Sequence, residues 1–225
     1  MAGAPVIAYV AFAAQLAPLG TAFARRSQMT PARFWVFVWL VLWAVMNTIG
    51  YVVARLHYNH HFLSYIFTPL QGVAILWALA LFQIQPVARL TIRIIIPIFV
   101  AAWALALLFI ENVNNFSTFA EPVYSILALG TALYTLVARS SEATEPVTQQ
   151  DWFWICSGLA LYFGALTVLL PLSAALVYSR PDIVTKAYYV DFAVNIVACL
   201  SIANGFLCSA RSTPSGSFSS PASSV

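Results

Sequence analysis

The sequence predicts an all-α, polytopic membrane protein with seven transmembrane helices. Two observations carry that prediction. Of 225 residues, 62% are hydrophobic, and the charged residues are only 10 Lys+Arg and 7 Asp+Glu, whereas a soluble domain is about 45–50% apolar and about 25% charged. The apolar residues also fall into seven runs, each long enough at roughly 20 residues to cross a bilayer. Seven such helices leave no room for a separate catalytic, nucleotide-binding or DNA-binding module, and no Gly-rich phosphate loop is present. Residues 1–210 are read as one transmembrane domain. Residues 211–225, rich in Ser and Pro with no apolar pattern, are read as a disordered tail.

The first helix is expected over residues 3–24, with Gln15 near its middle. No basic residue precedes Arg25, so this run reads as a retained span and not as a cleaved signal. The second, 33–54, sets Trp35, Trp39 and Trp43 at i, i+4 and i+8, with Asn47 and Tyr51 beyond them. The third, 62–83, gathers Ser64, Tyr65, Thr68, Gln71 and Gly72 within an arc of about 120°. The fourth, 88–110, holds Arg93 about a turn from one end, where it snorkels toward lipid phosphates. The fifth, 118–137, opens on Glu121 and Pro122, a proline suited to a first turn, and shares one arc among Glu121, Tyr124, Ser125, Ala128 and Thr135. The sixth, 151–178, has the aromatic entry Trp152-Phe153-Trp154. The seventh, 186–208, aligns Tyr188, Asp191, Asn195, Ala198, Ile202 and Gly205 on one stripe. Pro18, Pro97 and Pro171 lie inside spans, where kinks are expected.

Basic residues set the expected orientation, because Lys and Arg are retained on the cytoplasmic side. Arg25, Arg26, Arg33, Arg89, Arg93, Arg139 and Arg211 fall on one side, against Arg55, Arg180 and Lys186 on the side of the N-terminus. The N-terminus is therefore expected outside and the C-terminal tail in the cytoplasm. The scattered charge gives no nucleic-acid patch. Cys156, Cys199 and Cys208 sit in apolar segments without paired spacing, so no disulfide framework or zinc site is expected.

A short internal repeat links the two halves. Leu19-Gly20-Thr21-Ala22 in the first helix matches Leu129-Gly130-Thr131-Ala132 in the fifth. Each is followed by an aromatic helix entry, Arg33-Phe34-Trp35 in one half and Asp151-Trp152-Phe153-Trp154 in the other. The pattern suggests a 3+1+3 parallel repeat with the fourth helix as connector, as in some transporters.

Intramembrane polar residues mark the candidate site, since an ionisable group in hydrocarbon is costly and tends to face the bundle interior. Three helices place such groups in narrow arcs at similar depth. Tyr65, Gln71, Glu121, Tyr124, Asp191 and Asn195 are accordingly expected to converge on one outward-facing cavity suited to a cationic or hydrogen-bonding ligand. The same hydroxyls and amides also serve to join helices by hydrogen bonds.

Known chemistries fit poorly. His57-Tyr58-Asn59-His60-His61 has the His-x-x-His-His spacing of membrane di-iron desaturases and hydroxylases, but those enzymes carry several such boxes and this chain has no further His. A triad hydrolase needs an intramembrane His. Lys186, the single lysine, stands at the start of the seventh helix, about a dozen residues from its midpoint, so no covalent retinal is expected there. No catalytic constellation, metal site or cofactor is read.

Asn59, Tyr65, Thr68-Pro69-Leu70, Phe153-Trp154-Ile155 and Tyr162-Phe163 resemble positions of a group of small, uncharacterised bacterial seven-helix integral membrane proteins. The resemblance extends over nearly the whole chain and implies the bacterial inner membrane. That group has a glutamate after Pro-Leu, where this chain has Gln71. Membrane lycopene cyclases use a similar Pro-x-acid pattern, and the acidic pair they need is missing. The functional expectation is a non-enzymatic protein that binds a small polar or amphipathic ligand, as a transporter or a sensor. The alternative is a structural or accessory subunit of a larger membrane complex, with a membrane-protein partner or a second copy. The Trp35, Trp39, Trp43 ridge could pack on a partner or pigment, but ordinary bundle and belt aromatics are the favoured reading of it.

Overall fold

A computed structural model describes residues 6–59, 61–113, 117, 119–176 and 179–208; the expected tail at 211–225 lies outside them. Seven helices in it are long and apolar enough to cross a bilayer, and no strand occurs among the described residues. The chain is thus a multi-pass helical membrane protein. Its first span is two pieces, α1 (Val6–Ala14) and α2 (Leu16–Ala24), followed by α3 (Pro31–Arg55), α4 (Phe62–Phe82), α5 (Pro86–Phe109), α6 (Ala120–Glu142), α7 (Asp151–Leu176) and α8 (Pro181–Leu207).

Helix ends follow local chemistry. Pro18 has no N–H for the Ala14 carbonyl, and the first span breaks there, the Gln15 amide turning back to the Phe12 carbonyl at 3.3 Å. Pro69, Pro97 and Pro171 lie within α4, α5 and α7, which continue through them. Thr30 caps α3, its hydroxyl accepting from the Arg33 amide at 3.3 Å, with Pro31 in the first turn. Pro181 begins α8 five residues before the expected 186, and α6 extends five residues past the expected 137 to Glu142. In that extension Arg139 lies 5.1 Å from the centre of the Trp152 ring. At the far end of α3, His57 takes φ 60°. Its amide donates to Ala54 and that of Tyr58 to Val53, each at 3.1 Å. This is the left-handed cap that usually takes glycine, so His57 serves to stop a helix.

Packing sorts the helices into a ring and one outlier. Around the ring, α3 meets α4, α4 meets α6, α6 meets α7, α7 meets α8, and α8 meets both α1 and α2. α5 stands outside, packed mainly on α4. The order of neighbours is that of two three-helix units joined head to tail, with α4·α6 answered by α8 against the first span. The repeated tetrapeptides also behave alike. Ala22 and Ala132 are both fully buried, and a Cβ on Gly20 or Gly130 would meet nothing within 4 Å. Thr21 and Thr131 each donate to the carbonyl four residues back, at 3.0 and 2.7 Å. The units differ in one place: α6 packs closely on α7, while α2 touches α3 sparsely and α1 less still.

The closest backbone approach is between α7 and α8. A Cβ on Gly158 would lie 2.7 Å from the Ala198 carbonyl oxygen, and one on Gly205 would lie 3.0 Å from the Asp151 carbonyl oxygen. The two glycines answer each other across one interface, as small residues do where membrane helices pack closely.

The two faces of the bundle are unlike. On the arginine-rich face, Arg33 is only 1% exposed. Its Nε donates to Asp151 at 2.7 Å and a terminal nitrogen donates to the Cys208 carbonyl at 2.8 Å. One guanidinium thereby joins the start of α3 to the start of α7 and the end of α8. Nearby, Gln83 donates to the Thr135 hydroxyl, and Arg89 donates to the Gln83 carbonyl at 2.7 Å. Arg93 rests 5.0 Å from the centre of the Trp77 ring on the outer surface. The opposite face carries the start of α1, the turns after α3 and α5, and the turn before α8.

Candidate functional site

The site begins from the aromatic stripe of α3. Trp39 and Trp43, at 0% and 3% exposure, point into the bundle and not toward a partner. Their rings stack at 5.5 Å and 10°, and Tyr162 of α7 meets Trp43 edge-on at 4.9 Å. The Trp39 indole N–H donates to the Tyr124 hydroxyl at 2.9 Å, a buried bond between α3 and α6. Such a cluster fixes ring orientations through both packing and the polar handle of each ring.

Above this floor, toward the N-terminal face, lies a cavity of about 370 Å³, within the size range of small-molecule pockets. Gln71, Glu121, Tyr124, Asp191 and Asn195 all line it, so α4, α6 and α8 bring together five of the six residues named from the sequence. Tyr65 departs from that expectation: it does not line the cavity, and its hydroxyl donates to the Asn112 carbonyl at 3.2 Å. The reason is angular. At 100° per residue Tyr65 and Gln71 stand about 120° apart, on opposite edges of the α4 arc. Both are buried, but only the Gln71 edge faces the cavity, while Tyr65 is turned to the segment after α5.

Local structure fixes each polar group. Glu111, just past α5, accepts from the amides of Phe119 and Ala120 at 2.8 and 3.2 Å and from the Ser117 hydroxyl at 2.8 Å. Ser117 in turn accepts from the Glu121 amide at 3.1 Å. These bonds satisfy the free N–H groups at the start of α6 and set Glu121 in its first turn. The Glu121 side chain interacts with the Ser64 hydroxyl. Asn195 accepts from the Cys199 thiol at 3.4 Å, and Gln71 makes a 3.5 Å contact with the Met46 sulfur. The half-buried Asp191 makes no hydrogen bond or ion pair with any described residue. The Ser125 hydroxyl, fully buried at the cavity wall, also lacks a partner among the described residues. Among the described residues no Lys or Arg lines the cavity.

Two parts of the wall escaped the sequence reading. Tyr162, Leu166 and Leu170 of α7 contribute a face with no intramembrane charge or amide to signal it. Ala8, Ala11 and Phe12 of α1 contribute a second, wholly apolar one. A signal did exist for Trp43, since Trp43, Asn47 and Tyr51 continue the i+4 spacing of the tryptophan stripe into the polar part of α3.

Other candidates are weaker. Lys186 is exposed on α8 and does not line the cavity. Among the described residues no three His, Cys, Asp or Glu side chains are grouped as a metal site would need; His60 lies outside them. A groove of about 650 Å³ on the arginine-rich face is bordered by Arg139, Glu142, Glu145 and Asp151, where Glu142 and Glu145 are open to solvent. Comparison with protein-family models, curated proteins and solved structures yields no match to this chain.

Proposed function

We propose that this is a non-enzymatic protein of the bacterial inner membrane that binds a small polar or amphipathic molecule in the cavity between its two three-helix units and carries it inward. The observation that carries the reading is that Glu121 of α6 and Asp191 of α8, at the two ends of the second three-helix unit, share one cavity with no basic residue among the described ones to neutralise them. An unpaired acid inside a membrane bundle is costly to keep, and ligand recognition is a reason for keeping it. The ring supports transport over sensing, because carriers of repeated units hold their substrate near the midplane between the units. On the opposite face the Arg33 link to Asp151 and Cys208 joins one unit to the other, which suits a closed gate beneath an open cavity.

The basic residues favour the cavity facing outward, with the C-terminus in the cytoplasm. A reporter active only in the cytoplasm, fused after Val225, is expected to be active; activity of a periplasmic reporter alone would reverse the assignment. The cavity itself is tested by Leu170→Cys, at a half-buried position on the cavity wall near the N-terminal face. A membrane-impermeant, trimethylammonium-bearing methanethiosulfonate applied to intact cells is expected to modify this cysteine, above the background of the three native thiols. Modification only after permeabilisation, or none at all, would remove the outward-facing cavity from the account.

A further inference from the structure

We propose that the ligand is an organic cation with an apolar tail, its ammonium head held at Glu121 and Asp191 against the Trp43 and Tyr162 rings and its tail lying between α1 and α3. This rests on the ligand-cavity reading above and specifies its chemistry. Three features of the cavity point the same way.

The head site is acidic and aromatic. Two carboxylates face it, and among the described residues one of them has no partner and no basic side chain lines the cavity. Arg55, the nearest cation along α3, is turned to Tyr51, donating to its hydroxyl at 3.0 Å with the guanidinium 5.1 Å from the ring centre. Trp43 and Tyr162 meet at 70°, so two ring systems form a corner on the same cavity. Desolvated rings in such a corner attract ammonium groups, quaternary ones above all.

The tail site is the seam between α1 and α3. Here the ring is thinnest, the two backbones scarcely approaching. The cavity wall on this side is Ala8, Ala11 and Phe12, and Phe12 and Tyr51, which both line the cavity, remain 42% and 48% exposed. A hydrogen bond from Asn47 to the Gln15 side chain at 3.2 Å crosses the seam deeper down, and Arg55 is within reach of Tyr9 at its upper end. Between these two bridges the wall is apolar and opens toward the lipid. A hydrophilic solute has no use for such an opening, whereas an amphipathic one leaves its tail there.

The test uses the purified full chain in lipid nanodiscs, titrated calorimetrically against empty discs with two matched pairs of probes. Decyltrimethylammonium is paired with decanol, and tetramethylammonium with tert-butanol, a neutral molecule of the same tetrahedral shape and size. Each cation is expected to bind at least about 10-fold tighter than its neutral partner, as desolvated cation–π contacts imply. Decyltrimethylammonium is expected to bind on the order of 100-fold tighter than tetramethylammonium, the seam burying roughly three to four of its methylenes at about fourfold each. Asp191→Asn should weaken both cations at least about 10-fold and leave the neutral probes alone. Ala8→Trp, which fills the seam, should remove the chain-length advantage while keeping tetramethylammonium binding, its own control for folding. Neutral probes that bind as well as the cations would overturn the inference and leave the cavity reading standing. A decyl chain that brings no gain would overturn the placement of the tail. Binding of none of the four probes would overturn both readings.

Discussion

Asp151→Ala is expected to destabilise the bundle by about 3–5 kcal/mol, the usual effect of removing one partner from a buried ion pair. The substitution strands the Arg33 guanidinium, 1% exposed, with the Cys208 carbonyl as its remaining acceptor among the described residues. It also takes away the carboxylate oxygen that accepts from the Trp152 amide at 2.8 Å at the start of α7. Arg33→Ala should cost less, because the Asp151 side chain is 19% exposed and water can reach the carboxylate it leaves behind. Replacing both together, as Arg33→Met with Asp151→Leu, should recover most of the loss, since no charge then stays buried without a partner. Unfolding in mixed micelles, followed by helicity as denaturing detergent is added, gives all three free energies and the coupling between them. A stability for Asp151→Ala within about 1 kcal/mol of the parent would mean that the pair contributes little.

Gly158→Leu is expected to do greater damage still and to prevent a folded bundle from accumulating. Its Cβ would stand 2.6 Å from a side-chain atom of Ile202 and 2.7 Å from the Ala198 carbonyl oxygen. The side chain can turn aside, but the carbonyl belongs to the backbone of α8 and moves only with the helix. Even Gly158→Ala should cost about 1–3 kcal/mol as overpacking, and Gly205→Ala a similar amount. Gly20→Ala and Gly130→Ala provide the contrast. A Cβ at either meets nothing within 4 Å, so both should be neutral or slightly stabilising, as alanine favours the helix over glycine. The four variants, compared by yield of monodisperse protein and by the same unfolding assay, separate close packing from helix propensity. Equal effects at all four positions would refute the distinction.

What the sequence made legible was whatever depends on one helix at a time. Span length and hydropathy place all seven crossings, and the 100° rule places Asp191, Asn195 and Gly205 on an inward stripe. What depends on two helices was harder to read. Arg33 counted only as one more basic residue on one side, because nothing in its own neighbourhood announces Asp151, which lies 118 positions away along the chain. The tryptophan stripe could be recognised but not aimed, as periodicity identifies a face without saying what covers it. Tyr65 was grouped with Gln71 because both lie within the α4 arc, and a 120° arc is wide enough to reach two different neighbours. The apolar walls from α1 and α7 left no trace, since in a membrane protein a cavity wall and a lipid-facing wall are written in the same residues. Pro18 interrupts the hydrogen-bond ladder of its span at Gln15, whose backbone stays helical, whereas Pro97 and Pro171 lie in helices that continue.

The position of α5 outside the ring bears on how the molecule is made and how freely it can change. Three spans begin on one face and end on the other, so a second set joined directly to the first would be threaded upside down. One extra crossing brings the chain back to its starting face, and both sets then enter the bilayer with the same polarity. That task asks for a segment that partitions readily and spans fully. α5 has the highest mean hydropathy of the seven, 2.4. Its outward positions, such as Val87, Leu90, Ile98 and Leu108, are at least 59% exposed, and any large aliphatic residue would fill them equally well. Phe99 is the exception, its ring lying where a Cβ on Gly72 would be. Drift along α5 is therefore restrained mainly by the need to insert, while drift around the ring is restrained by fit.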